Sequence, residues 1–120
     1  MLEHIGDNDE LYRRVAPVYI KQDGSISSKA FYFKGKPDPS VSVDLGRLTT
    51  KRESVNRARK PDFGLGVLIA RNPRIHGFNV HHSPDDENEN FSHSLIQGEN
   101  TKELCYRLAE FTILDSIRSN

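Results

Sequence analysis

Two histidines in the second half of the chain have the type and spacing that chemistry requires. They lie in the stretch HHSPDDENENFSHSL, residues 81 to 95, which contains one His-Ser step at His82 and another at His93. Successive side chains in a strand point to opposite faces, so His82 shares a face with Val80, and His93 shares one with Leu95. If the two strands pair, this alternation predicts neighbouring imidazoles on the apolar side of a sheet.

Three interpretations of this pair are open. The histidines are structural groups bonded to the backbone, or they are an acid–base pair, or they bind a metal together with Asp85 or Asp86. Two imidazoles can divide the donor and acceptor roles in phosphodiester cleavage. The metal site lacks a supporting HExxH motif or Cys/His cluster. Our working hypothesis makes His82 and His93 catalytic residues, with no metal and no cofactor.

Two other segments have the composition of anion sites. The turn DGSISSK carries Ser27 and Ser28, whose hydroxyls and backbone amides suit a phosphate, although such a run also forms an ordinary hairpin turn. The segment from Arg47 to Lys60 has six basic residues and one acidic residue. Arg52 and Arg59 are seven apart and would share a helix face, which can track phosphates or simply be solvated. We predict Ser27, Ser28, Arg52 and Arg59 as anion-binding residues.

The elements that position these residues predict an α+β fold. We expect a small mixed or antiparallel sheet of about five to six strands, with a short basic helix and a C-terminal amphipathic helix packed on it. The apolar run GVLIA, residues 66–70, predicts the central strand. Thr50 begins the basic helix with a capping box, and an apolar stripe runs along the last helix from Leu104 to Ile117. The predicted boundaries are a hairpin at 17–34, strands at 41–45, 66–70, 78–82 and 91–96, and helices at 51–59 and from 100 onward.

Composition sets outer limits on the function. The chain has 120 residues, which predicts one domain over residues 10–118 after a flexible segment 1–9. The 17 basic and 17 acidic residues balance, so the whole molecule has no net field to attract a polyanion. A single cysteine, Cys105, and the lack of a long apolar run predict a cytoplasmic protein without a membrane partner.

Two resemblances follow from these motifs. The repeated His-Ser step resembles the paired H-[ST]-hydrophobic motifs of two-histidine phosphoesterases, over residues 80–83 and 91–95. Here the motifs are only 11 residues apart and Pro84 replaces the first hydrophobic residue, so no role is carried over. The blocks LYRRV, DGSISSKAF, SVD, LTT, HSP…N…H and IQGENTK are similar to those of small uncharacterised bacterial proteins. That resemblance implies a stand-alone or operon-linked bacterial protein and no particular activity.

Two functional hypotheses from different classes result. In the first, the protein binds or processes a phosphate-bearing ligand, RNA or a nucleotide, without metal, through His82 and His93. In the second, it is a non-enzymatic interaction module, as an accessory subunit of a larger bacterial assembly or as a homodimer. Edge strands that accept a partner strand would serve the second hypothesis.

Overall fold

The protein is a six-stranded antiparallel sheet with three helices, as seen in a computed structural model that describes residues 2–32 and 39–120. The strand order is β4-β5-β2-β1-β3-β6. The predicted α+β class is confirmed. The elements in chain order are β1 (Glu10–Val15), β2 (Ser40–Leu45), α1 (Lys51–Asn56), β3 (Gly64–Ile69), α2 (Arg71–Ile75), β4 (Asn79–His82), β5 (His93–Gln97), α3 (Lys102–Glu110) and β6 (Ile113–Arg118).

One face of the sheet, here called the α3 face, carries the main hydrophobic core. Alternation in β1, β2 and β3 sends Leu11, Val43 and Leu68 to this face, where the apolar side of α3 covers them through Leu108. A one-turn 3-10 helix, Ser28–Phe31, packs beside α3 and contributes the fully buried Phe31. Burying such side chains removes apolar area from water and is the main favourable contribution to folding.

The opposite face, here called the α1 face, has a smaller apolar cluster and a polar region. Val55 of α1 packs against Tyr12 and Leu65. The predicted Thr50 cap is confirmed, because the hydroxyl of Thr50 accepts from the backbone N–H of Glu53 at 3.1 Å. The Glu53 carboxylate reaches back to the Thr50 hydroxyl, from which it accepts at 3.1 Å, rather than to the backbone N–H that a full capping box uses. The helix ends at Asn56 rather than at residue 59, and Arg59 adopts a positive φ of 55°.

Several predicted elements differ from the structure. The stripe assigned to one long C-terminal helix is divided: α3 ends at Glu110, and the residues from Ile113 pair with β3 as the edge strand β6. The strand predicted as central, β3, is next to this edge, so β2 and β1 are the middle strands. The predicted hairpin 17–34 consists of 3-10 turns and one isolated bridge between Ile20 and Ile26 where it is described; its last two residues lie outside the described range.

The segment predicted to be flexible, residues 2–9, contacts the sheet and its loops. Ile5 is buried, and its carbonyl accepts from Arg74 at 2.6 Å. Glu3 forms a 2.7 Å ion pair with Arg47. Among the described residues, no helix is long and apolar enough to cross a membrane.

Candidate functional site

A polar cavity forms on the α1 face where β1 and β2 separate. The two strands pair at Tyr12–Asp44, but the ladder stops there. Beyond that pair, the side chain of Arg13 takes the place of a backbone partner, since its Nη1 donates to the carbonyl of Ser42 at 2.9 Å. Burial, with a smaller contribution from Arg14, lowers the pKa of Arg13 to about 10, so this residue stays cationic at neutral pH.

Asp44 is fully buried and bonds to two of the arginines that line the site. Its Oδ2 accepts from Arg14 Nη1 at 2.8 Å, from the Ser54 hydroxyl at 2.6 Å and from Arg57 Nη1 at 3.0 Å. Its Oδ1 accepts from the Asn90 amide at 2.8 Å. Burial by itself raises the pKa of Asp44, but these cations and donors outweigh it, and the pKa lies below its ordinary value. Asp44 is therefore a charged, fully bonded anchor.

Asp44 fixes two arginines whose other donors remain available. In both Arg14 and Arg57, only Nη1 bonds to a described residue, so Nε and Nη2 have no partner in that part of the chain. The two side chains are 22% and 28% exposed, and both line the cavity. A guanidinium held on one edge by a carboxylate presents its remaining N–H groups in a fixed direction.

The cavity above Asp44 has a volume of about 330 Å³. A third guanidinium, that of Arg59, lines it and has no hydrogen bond or ion pair with any described residue. Two carboxylates oppose these three cations: Asp44, which is buried, and Asp85, which lines the cavity. The net charge of the site is therefore positive. The lining residues are Arg14, Ser42, Arg57, Arg59, Asp85, Asn88, Asn90 and His93.

His93 is the imidazole of this cavity, and both of its ring nitrogens have defined partners. Nδ1 lies 2.7 Å from the carbonyl of Ser83, which can only accept, so Nδ1 carries the hydrogen. Nε2 lies 3.1 Å from the hydroxyl of Ser42 and is the acceptor of that pair. Both side chains line the cavity. The structure thus places the sequence-predicted His93 and Arg59 together at one site.

His82 does not belong to this site. It pairs directly with Ser94, the neighbour of His93, so the two histidines point to opposite faces of the sheet and the prediction of a shared face is wrong. The ring of His82 is 2% exposed; Nδ1 accepts from the Glu3 backbone at 2.9 Å, and Nε2 donates to the Phe91 carbonyl at 2.5 Å. These contacts leave no ring nitrogen for a ligand.

The other predicted anion-binding residues lie outside the cavity. Ser27 caps the 3-10 helix Ser28–Phe31 by accepting from Lys29 N–H, and it lines a separate cavity of about 350 Å³ with Ser28 and Glu110. Arg52 donates to the carbonyl of Arg118 at 2.8 Å and does not line the cavity of Arg59. Within the described ranges, no group of three His, Cys, Asp or Glu side chains converges to hold a metal ion.

Sequence reasoning missed the residues that organise the site. Alternation in β2 places Ser42 and Asp44 opposite the apolar Val43, and alternation in β1 places Arg14 beside Tyr12, but these patterns do not say which strands are neighbours. The usable signal was an aspartate between two apolar residues of a strand, Val43 and Leu45, because a carboxylate buried there requires a cationic partner.

Comparison with known proteins does not assign a function. No protein-family model, curated protein or solved structure shows significant similarity to this chain. The chain is an α+β protein with an arginine-lined cavity on the α1 face.

Proposed function

We propose that the cavity on the α1 face binds a phosphate-bearing ligand, a nucleotide or an RNA end, without a metal. One observation carries this proposal: Asp44 fixes Arg14 and Arg57 with N–H groups that no described residue bonds, next to Arg59, whose guanidinium has no partner among the described residues either. An exposed ion pair alone would suggest only a solvated surface. Here the counter-ion is buried and the cations line a concave site.

Guanidinium groups suit phosphate for a geometric reason. Each presents two parallel N–H groups that match two phosphate oxygens, and these charge-assisted bonds are stronger than neutral ones. Because Arg14 and Arg57 are held by Asp44 before any ligand arrives, little side-chain entropy is lost on binding. Arg59 is exposed and its guanidinium is unpaired within residues 2–32 and 39–120, so it can close on a ligand already held by the other two.

The size and the remaining polar groups favour a single nucleotide unit over a bare anion. A cavity of about 330 Å³ is at the small end of ligand sites. The carboxylate of Asp85 and the amide of Asn88 bond to each other at 2.8 Å and stand in the same wall as the arginines. A carboxylate repels phosphate but accepts hydrogen bonds from sugar hydroxyls or base amino groups, which are donors.

Calorimetric titration tests this proposal. Wild-type protein is titrated with inorganic phosphate, with ribonucleoside monophosphates and with a short single-stranded RNA, each at low and at moderate salt. We expect saturable binding of the nucleotide or the RNA that is tighter than binding of phosphate and weakens with added salt. The proposal is overturned if none of the three ligands binds at low salt.

The alternative of an interaction module through edge-strand pairing receives less support from the geometry. In the edge strand β6, Arg118 Nη1 donates to the carbonyls of Asp115 and Ile117, each at 2.9 Å, and Asp115 Oδ1 accepts from the Ile117 N–H. At the other edge, Arg74 donates to the carbonyl of Val80 at 3.0 Å. These four backbone groups of the edge strands are thus already bonded within the chain and are not free for a partner strand.

A further inference from the structure

We infer that Ser42 and His93 form a nucleophile–base dyad that transfers a phosphoryl group from the ligand to Ser42. This inference rests on the proposed function, since the arginine cavity would hold the group being transferred. It adds a reaction and names a nucleophile, Ser42, that the sequence did not indicate.

The hydrogen bonds around His93 are those of an activated serine. The Ser42 hydroxyl lies 3.1 Å from Nε2, which is within the distance that a general base requires. The Ser83 carbonyl, 2.7 Å from Nδ1, fixes the ring and its tautomer, so that Nε2 presents a lone pair to the serine. A backbone carbonyl here serves as the orienting third group.

The backbone of Ser42 is also held on both sides. Ser42 pairs with Leu95 of β5, and its carbonyl accepts from Arg13 where the β1 ladder has ended. A nucleophile in a middle strand of a sheet moves little, and accurate positioning of reacting groups lowers the barrier considerably. Arg14 and Arg57 line the same cavity as the Ser42 hydroxyl.

The reaction consumes water and no other reactant besides the ligand. The Ser42 oxygen attacks phosphorus while its proton passes to His93 Nε2. The bond between phosphorus and the leaving oxygen breaks, and that oxygen takes the proton from the imidazolium. Water, with its proton accepted by the same Nε2, then releases phosphate and restores the serine. Arg14, Arg57 and Arg59 would stabilise the negative charge on the phosphoryl oxygens during transfer.

A fluorophosphonate probe tests the dyad without knowledge of the natural substrate. It transfers its phosphonyl group to an activated serine and releases fluoride, and peptide mass spectrometry identifies the labelled residue. We expect a single adduct on Ser42, no adduct there in Ser42→Ala, and labelling slowed about a hundredfold or more in His93→Asn. Asn at position 93 can still donate to the Ser83 carbonyl, and thermal melting verifies that each variant is folded.

Ser40→Ala is the matched control, because Ser40 lies two residues away on the same face of β2 and does not line the cavity. We expect it to label like wild type. The dyad is refuted if Ser42 is not labelled, or if His93→Asn labels at the wild-type rate. Nucleotide titration and nucleotide competition against labelling, both with wild-type protein, separate the two proposals. Nucleotide binding without labelling of Ser42 refutes only the dyad, whereas labelling of Ser42 that no nucleotide slows counts against the nucleotide site.

Discussion

Arg14 of β1 reaches the fully buried carboxylate of Asp44 on β2, with 2.8 Å between Nη1 and Oδ2. The bond joins the two strands just where their backbone ladder ends, and Arg57 adds a second cation at 3.0 Å. The same contacts that stabilise the fold therefore orient the donors of the cavity. We therefore expect both stability and the proposed ligand binding to depend on this one carboxylate.

Replacing Asp44 with Asn should destabilise the protein by about 3 kcal/mol, the lower end for a broken buried pair, because the two arginines are partly exposed and recover some hydration. The free energy of unfolding, measured with urea near neutral pH, gives this value. Glu53→Gln is the control, since Glu53 is exposed on α1 and does not contact the carboxylate. Equal stability of Asp44→Asn and wild type would show that the pair is not important for folding.

The Asp44 contribution should also depend on pH with a definite sign. The folded-state pKa of Asp44 is below its unfolded value of about 3.9, so the stabilisation is complete above that pH and is lost as pH falls through the lower folded value. The difference in unfolding free energy between wild type and Asp44→Asn should therefore narrow below about pH 4. Urea titrations at a series of pH values measure it, and a constant difference down to pH 2 would contradict this assignment.

Removing the buried imidazole in His82→Ala should cost about 1 to 3 kcal/mol of stability, because the Glu3 N–H and the Phe91 carbonyl lose their partner. The edge-on contact between the rings of His82 and Phe91, whose centroids are 4.9 Å apart, is lost as well. Ligand binding by the folded variant should be unchanged. His81→Ala, at the adjacent position, should stay within about 0.5 kcal/mol of wild type, because the His81 ring bonds only to Asn79 among the described residues. A binding defect in folded His82→Ala would restore His82 to the site.

Neutralising Asp85 should strengthen binding of a simple anion. Asp85→Asn removes a negative charge from the cavity wall, and an amide at this position can still bond within the turn to Asn88. We expect inorganic phosphate to bind roughly two- to fivefold more tightly. The gain is small because solvent partly screens the repulsion between the Asp85 carboxylate and the phosphate. Asp86→Asn, on the adjacent exposed residue outside the cavity, should leave phosphate affinity unchanged. Weaker phosphate binding by Asp85→Asn would contradict the charge assignment.

The sequence predicted the elements whose cause is local and missed relationships that depend on strand order. The Thr50 cap and the alternation of Val41, Val43 and Leu45 are set by neighbouring residues, and the structure contains both. Alternation also gave the face of each histidine within its own strand, but not the register between strands, and one residue of offset placed His82 and His93 on opposite faces.

The dependence on strand order also explains why only part of the site was predicted from the sequence. Arg59 was predicted from a helix face shared with Arg52, although α1 ends at Asn56, and His93 was predicted from its place in a strand. Asp44 and Arg14 instead meet through a pairing between strands about thirty residues apart, which no local pattern encodes. The last helix was extended too far because its apolar spacing continues through Ile113 and Ile117, where pairing with β3 determines the structure instead.

The central claim, that three arginines form a phosphate site, is tested most directly by comparing Arg59→Gln with Lys60→Gln in calorimetric nucleotide titrations. Both variants remove one exposed cation from adjacent positions, so their effects on the overall charge are the same, but only Arg59 lines the cavity. We predict about a tenfold loss of nucleotide affinity in Arg59→Gln, from the loss of a charge-assisted bond, and wild-type affinity in Lys60→Gln. Equal affinities in the two variants would contradict a site at this cavity.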